Sequence, residues 1–265
     1  MTPKETVKTK ILLCEPVPER KEVPPHRAWW QKTVELVARP GITMDYVDLK
    51  KGYMGLSTYE QAYNGIQMAQ RAYEAEKKGY DAFIIGCASD MGLKECRALV
   101  NIPVVAPTEA SSLLASTLGE KFSVIDLQPF TRPVIEGAIR SAGLLDKLAS
   151  IRSPEGLTAA KSFKMTFGGE QEKLIELLTG EMAKAVKEDG AEALFVSCVI
   201  TSALLTMQGV REVEGAPVID QVAASLKMAE ILLDLKRAYG TGVCRKSIYL
   251  APSPGWDKQI PIIVD

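Results

Sequence analysis

The chain has 265 residues, with 32 Lys+Arg against 33 Asp+Glu and a formal net charge of −1. Its 46% hydrophobic and 25% charged content is that of a globular protein and excludes a disordered, collagenous or disulfide-scaffold chain. A pI near 6.1 with evenly mixed charge argues against a nucleic-acid partner, which needs a basic face. Five cysteines stand against one histidine. With no Cys-x-x-Cys, no metal site is expected, and acid/base chemistry falls to carboxylates, lysines, tyrosines or thiols.

The start, Met1 to Lys10, is charged and lacks the apolar run of a signal peptide. Ala193 to Leu205 is the longest mostly apolar stretch and is too short to span a bilayer. A cytoplasmic protein without a membrane partner is therefore expected, its cysteines reduced. Strands are predicted at Lys10–Cys14, Thr43–Leu49, Ala82–Cys87, Val104–Ala106, Phe122–Asp126, Ala193–Cys198 and Val218–Asp220. His26, in a Pro-rich stretch, reads as a solvated or helix-entry residue, and the Trp29-Trp30 pair after it as core or interface. The Lys50–Gly55 loop reads as a connector or a lid. Ser57-Thr-Tyr-Glu60 has capping-box spacing and opens a helix to Lys78, stopped by Gly79. A second helix over Gly169–Asp189 carries Leu174, Leu177, Leu178, Met182, Ala185 and Val186 on one stripe. Strand and helix alternate, and the strands are continuous apolar runs, so an α/β fold of doubly wound parallel sheets is expected.

The chain also repeats itself. Gly79-Tyr-Asp-Ala-Phe-Ile-Ile-Gly-Cys87 matches Gly190-Ala-Glu-Ala-Leu-Phe-Val-Ser-Cys198, and Pro103 to Ser111 matches Pro217 to Ser225. Two half-chains of one design predict two pseudo-symmetric lobes, 1–107 with 215–265 carrying Cys87 and 108–214 carrying Cys198. Ligands of open α/β sheets sit beyond the carboxyl ends of strands. Both cysteines occupy that point, and a pseudo-twofold would bring them to one cleft between the lobes. Backbone N–H groups and helix dipoles there are expected to lower the thiol pKa toward neutral. One thiolate could then remove a proton from carbon while the other thiol returns one to the opposite face. Cys14, Cys96 and Cys244 have no such partner and read as packing residues.

The stretches Phe83-Ile-Ile-Gly-Cys-Ala-Ser-Asp-Met-Gly-Leu93, Gly119-Glu-Lys-Phe-Ser-Val-Ile125, Thr131-Arg-Pro133 and Gly215-Ala-Pro-Val-Ile-Asp-Gln-Val-Ala-Ala224 resemble the aspartate/glutamate/hydantoin racemase superfamily, its hydantoin and allantoin branch above all. The resemblance implies two α/β lobes around a cleft and a cofactor-independent, two-cysteine isomerase, with Cys87 and Cys198 at the matching positions. Two stretches depart from that branch. Glu15-Pro16-Val17 stands where it has Asn-Pro-Asn, and Ser197-Cys-Val-Ile-Thr201 where it has Gly-Cys-Ala-Gly.

Ser89 and Asp90 after Cys87, and Thr201 and Ser202 after Cys198, read either as helix caps or as groups that hold a substrate carboxylate or enolate oxygen. Glu15 reads as a pocket residue, and Asp220 as a helix cap. No Gly-rich phosphate loop is present, and no cofactor is expected. The expected activity is racemisation or epimerisation of a small molecule with an acidic C–H beside a carbonyl. A maleate-type cis–trans isomerase with a nucleophilic cysteine and a non-catalytic small-ligand-binding protein are the alternatives. A homo-oligomer is expected from the resemblance and from the tryptophan pair.

Overall fold

A computed structural model of the chain describes residues 8–54 and 57–260; the Met1–Val7 start and Gly55, which closes the Lys50–Gly55 loop, lie outside the described residues. The chain divides into two α/β units. The first takes in the described residues up to Arg27, then Val34–Ala106 and the residues from Leu226 onward; the second takes in Ala28–Thr33 and Pro107–Ser225. The return to the first unit thus falls later than the Gly215 boundary read from the repeat. The cause is Val218, which bridges Leu194 in parallel, while Ile219 N–H donates to the Leu194 carbonyl at 2.8 Å. That segment continues the second sheet.

In the first unit, β1 (Thr9–Pro18), β2 (Ile42–Leu49), β3 (Ala82–Ile85) and β4 (Val104–Val105) form one parallel sheet in the order β2-β1-β3-β4. Helices α1 (His26–Val37), α2 (Thr58–Lys77) and α3 (Leu93–Leu99) join them. The expected capping box is present, with Ser57 Oγ accepting from Glu60 N–H and the Glu60 carboxylate accepting from Ser57 N–H at 3.1 Å. Ala69, Ala72 and Ala75 lie three residues apart, so they share a face of α2 and join Leu12, Phe83 and Ile85 in the core.

The second unit opens with α4 (Pro107–Leu118) and β5 (Phe122–Ile125), followed by α5 (Arg132–Ser141) and β6 (Leu148–Arg152). Next come α6 (Ala159–Phe167), α7 (Gln171–Asp189), β7 (Ala193–Val196) and α8 (Val199–Met207). A short hairpin of β8 (Glu212–Val213) and β9 (Ala216–Pro217) leads to α9 (Gln221–Tyr239), and α10 (Trp256–Gln259) lies near the chain end. The parallel order is β6-β5-β7, and the Val218 bridge stands where β4 stands in the first sheet. The two units therefore share one strand order. Gly79 and Gly190, the leading residues of the repeat, both follow a long helix with left-handed φ of 80° and 73°. Only glycine adopts that conformation without strain, which is why the repeat begins on it.

Three expectations change. β6 had not been foreseen, because only Ile151 of its five residues is buried and it lies at the sheet edge. His26, read as solvated or helix-entry, does open α1 but is buried. Trp30 is fully buried with its indole N–H donating to the Val199 carbonyl at 3.2 Å, and Trp29 stacks on Phe167 at 6.1 Å. Trp30 is a core residue and Trp29 is partly buried against the core of the second unit, so the pair is not the exposed one that had argued for an oligomer. No helix among the described residues is long and apolar enough to cross a membrane.

Candidate active site

Each cysteine of the repeat stands two residues beyond the third strand of its unit, outside the ladder in which the sequence had placed it. The peptide before each is clamped in the same way. Gly86 N–H donates to the Cys14 carbonyl within β1, and Ser197 N–H to the Ile125 carbonyl at the end of β5. At Gly86 a Cβ would lie 2.8 Å from that carbonyl oxygen, so only glycine permits the approach.

Beyond Gly86 the chain turns sharply, with Asp90 N–H donating to the Cys87 carbonyl at 3.1 Å. Asp90 adopts φ 52°, a left-handed conformation that costs a non-glycine residue about 1–2 kcal/mol. Gly92 follows at φ 74°, so close to α2 that a Cβ would sit 2.5 Å from the Gly65 carbonyl oxygen. This double-glycine contact fixes the loop. Cys87 is partly exposed, and Ser89 Oγ lies 3.4 Å from its sulfur. Neither Ser89 nor Asp90 caps α3, whose N-cap is Gly92 with no side-chain bond.

Cys198 is the N-cap residue of α8. The helix start was expected to lower its pKa. Burial instead pushes the thiol up from its ordinary value near 9.0, against the Thr201 side chain and the N–H groups of Thr201 and Ile200, which favour the thiolate. The Asp126 carboxylate adds to the rise. Ser202 is buried and works within the unit, accepting from Gln221 N–H at 3.0 Å and donating to the Ile219 carbonyl. Asp220 caps α9 as expected, accepting from the N–H groups of Val222 and Ala223.

Glu15, expected to line the pocket, is only 2% exposed and has both oxygens engaged. His26 Nε2 lies 2.8 Å from Oε2, while Arg27 Nε donates to Oε1 at 2.9 Å and Arg20 Nη2 lies 2.7 Å from it. Both arginines also pair with Asp48 on β2. Burial works to raise the Glu15 carboxyl, but the hydrogen bonds from His26 and Arg20 and the charge beside them hold it at about 2, against an ordinary 4.5. Glu15 thus joins β1, β2 and the start of α1 inside the first unit. Sequence reasoning missed this cluster; the signal was the concentration of Arg20, His26 and Arg27 just after a strand-end carboxylate. Cys14 and Cys96 are fully buried, with their thiols pushed far up by burial, which suits packing and not proton transfer. Cys244 is exposed. Among the described residues no cluster of His, Cys, Asp and Glu could hold a metal ion.

Two α/β units of one strand order, each with a cysteine just past its third strand, define the scaffold. Comparison with known proteins assigns it. The profile of the Asp/Glu/Hydantoin racemase family matches residues 30–229, and the chain belongs to that family. A hydantoin racemase of Pseudomonas sp. (strain NS671) is 32% identical over 200 residues, 75% of this chain and 77% of that protein. The crystal structure of an allantoin racemase from Pseudomonas fluorescens superposes with a TM-score of 0.76 at 26% identity, covering 93% of this chain and 98% of that one. An allantoin racemase from Klebsiella pneumoniae shares the fold with a TM-score of 0.77 at 24% identity, over 93% and 94% of the two chains. The protein is an isomerase of the racemase class.

Proposed function

We propose that the protein racemises a small cyclic ureide of the hydantoin or allantoin type, with Cys87 and Cys198 as the two acid/base groups and no cofactor. In such a substrate the stereocentre bears a C–H beside a carbonyl, so deprotonation leaves charge that the carbonyl oxygen can accept. One cysteine, as thiolate, takes the proton and becomes a thiol. The other, as thiol, gives its proton to the opposite face of the same carbon and becomes a thiolate. The product is the opposite enantiomer, and the reverse reaction exchanges the two roles.

The observation that carries this reading is the equivalence of Cys87 and Cys198. Both stand two residues past the third strand of an identically ordered sheet, behind the same backbone clamp, while the other buried cysteines lie inside the core. Ser89, beside the Cys87 sulfur, and the first turn of α8, beside Cys198, are the groups in place to steady each thiolate. Asp90 remains the substrate-orienting candidate of the Cys87 loop, because a strained backbone of this kind persists where the surroundings over-determine it. Thr201 serves the Cys198 sulfur in this reading, and Glu15 and Ser202 act as internal struts.

Incubating hydantoins and allantoin with the enzyme in deuterium oxide tests it. Deuterium should enter the stereocentre as optical activity is lost. Cys87→Ala and Cys198→Ala should each abolish inversion, and full activity in either variant would refute the two-thiol mechanism.

A further inference from the structure

The repeat that makes the two cysteines equivalent also makes two carboxylates equivalent, and they have unlike surroundings. Cys14 pairs with Ile85 and Ile125 with Val196, so Glu15 and Asp126 each stand one residue past the clamp that precedes a cysteine of the pair. Glu15 is ion-paired with Arg20 and Arg27 and bonded to His26. Asp126 is equally buried, at 2% exposure, yet among the described residues it pairs with no cation. Three neutral donors hold it instead: the Ser197 hydroxyl, the Thr131 hydroxyl and the Leu127 N–H at 2.9 Å. Ser197 is the residue immediately before Cys198.

We propose that Asp126 is a positioning residue for the reaction: its buried, cation-free carboxylate, tied to Ser197, keeps the proton on Cys198 between turnovers, so that Cys198 enters the cycle as the acid. An isolated charge in a low-dielectric site acts strongly on its neighbours, and a second anion beside it is disfavoured. Asp126 is already held as an acceptor by three donors.

The other charges around Cys198 do not offset it. Helix α8 carries no charged residue, and Trp30, which reaches its first turn, brings only an indole N–H. Asp220, on the segment bound to Ser202, adds a negative group engaged with the α9 amides and the Thr33 hydroxyl. Arg152 on β6, the cation nearest in the sheet order, turns to Asp189 and Glu188. Burial raises the Cys198 thiol, the bonds from Thr201 and Ile200 oppose that rise, and Asp126 adds a smaller push in the same direction as burial.

The experiment follows the alkylation rate of Cys198 by iodoacetamide against pH in the full-length enzyme, read peptide by peptide by mass spectrometry. Asp126→Asn keeps the shape and removes the charge, and the Thr131 hydroxyl can turn to accept from the new amide. The Cys198 midpoint should fall, because the anion that favours the protonated thiol is gone. Asp126→Glu should leave it raised. Asp126→Ser, which also removes the charge, replaces the Asn variant if that one fails to fold. An unchanged or higher midpoint in a folded, charge-removed variant overturns the proposal. The activity arm rests on the two-thiol reading: the alkaline limb of kcat/KM, where the acid loses its proton, should move down with the midpoint. If the midpoint shifts and Cys198→Ala stays active, the two-thiol reading fails while the electrostatic role of Asp126 stands.

Discussion

Replacing Glu15 by Gln should destabilise the first unit by an amount that its ion cluster sets. The change keeps the shape of the side chain and removes one buried charge facing His26, Arg27 and Arg20. Its carboxyl lies at about 2 in the folded protein against an ordinary 4.5, and at about 1.4 kcal/mol per pH unit that difference is worth about 3–4 kcal/mol at neutral pH. The side chain is only 3% exposed, so solvent screening removes little of it. The same order is expected when one partner of a buried ion cluster is lost and the rest remain uncompensated. Because the folded value is depressed, this stability is fully present above about pH 4.5 and is lost as pH falls from there toward 2. Urea titrations of wild type and Glu15→Gln at pH 7 and pH 3 measure it. The gap between the two midpoints should be wide at pH 7 and narrow strongly at pH 3. A gap worth under about 1 kcal/mol at pH 7, or one that does not shrink on acidification, would refute the reasoning.

Four further outcomes follow from the site and the helices. Cys87→Ala and Cys198→Ala should each lower racemisation by at least about a hundredfold, the scale of a lost acid/base group, with unchanged melting temperatures. Intact-mass analysis during turnover should find no covalent adduct on either cysteine; a trapped adduct would favour nucleophilic addition, as in the cis–trans isomerase alternative. Gly92→Ala must place a Cβ against the Gly65 carbonyl at a left-handed φ, so both melting temperature and kcat should fall as the Cys87 loop shifts. Ser57→Ala removes the capping box of α2 and should cost about 1 kcal/mol in chemical denaturation while leaving kcat unchanged.

The parts of the fold that local chemistry dictates were legible. Gly79 and Gly190 mark helix ends because left-handed φ is a property of single residues, and the capping box of Ser57 and Glu60 is closed within one turn. The apolar runs that became β3 and β7 announce themselves because they are buried on both sides. Edge strand β6 gave no such pattern, since an edge strand with one buried residue carries little apolar signal. The direction of the Cys198 shift was also misread. A helix N-terminus favours a thiolate, but that pull is weaker than burial, and burial is not a local property.

Chain order alone determined that two like α/β halves exist and that one cysteine of each falls at the end of an equivalent strand, because turn glycines and strand periodicity are written residue by residue. Tertiary structure alone decided how the charges are shared around those thiols. Glu15, Asp48, Arg20, His26 and Arg27 meet only when β1, β2 and the start of α1 come together. Asp126 reaches Ser197 only through the register of β5 on β7. Electrostatic energy depends on distance and burial, which belong to the folded chain and not to its order of residues.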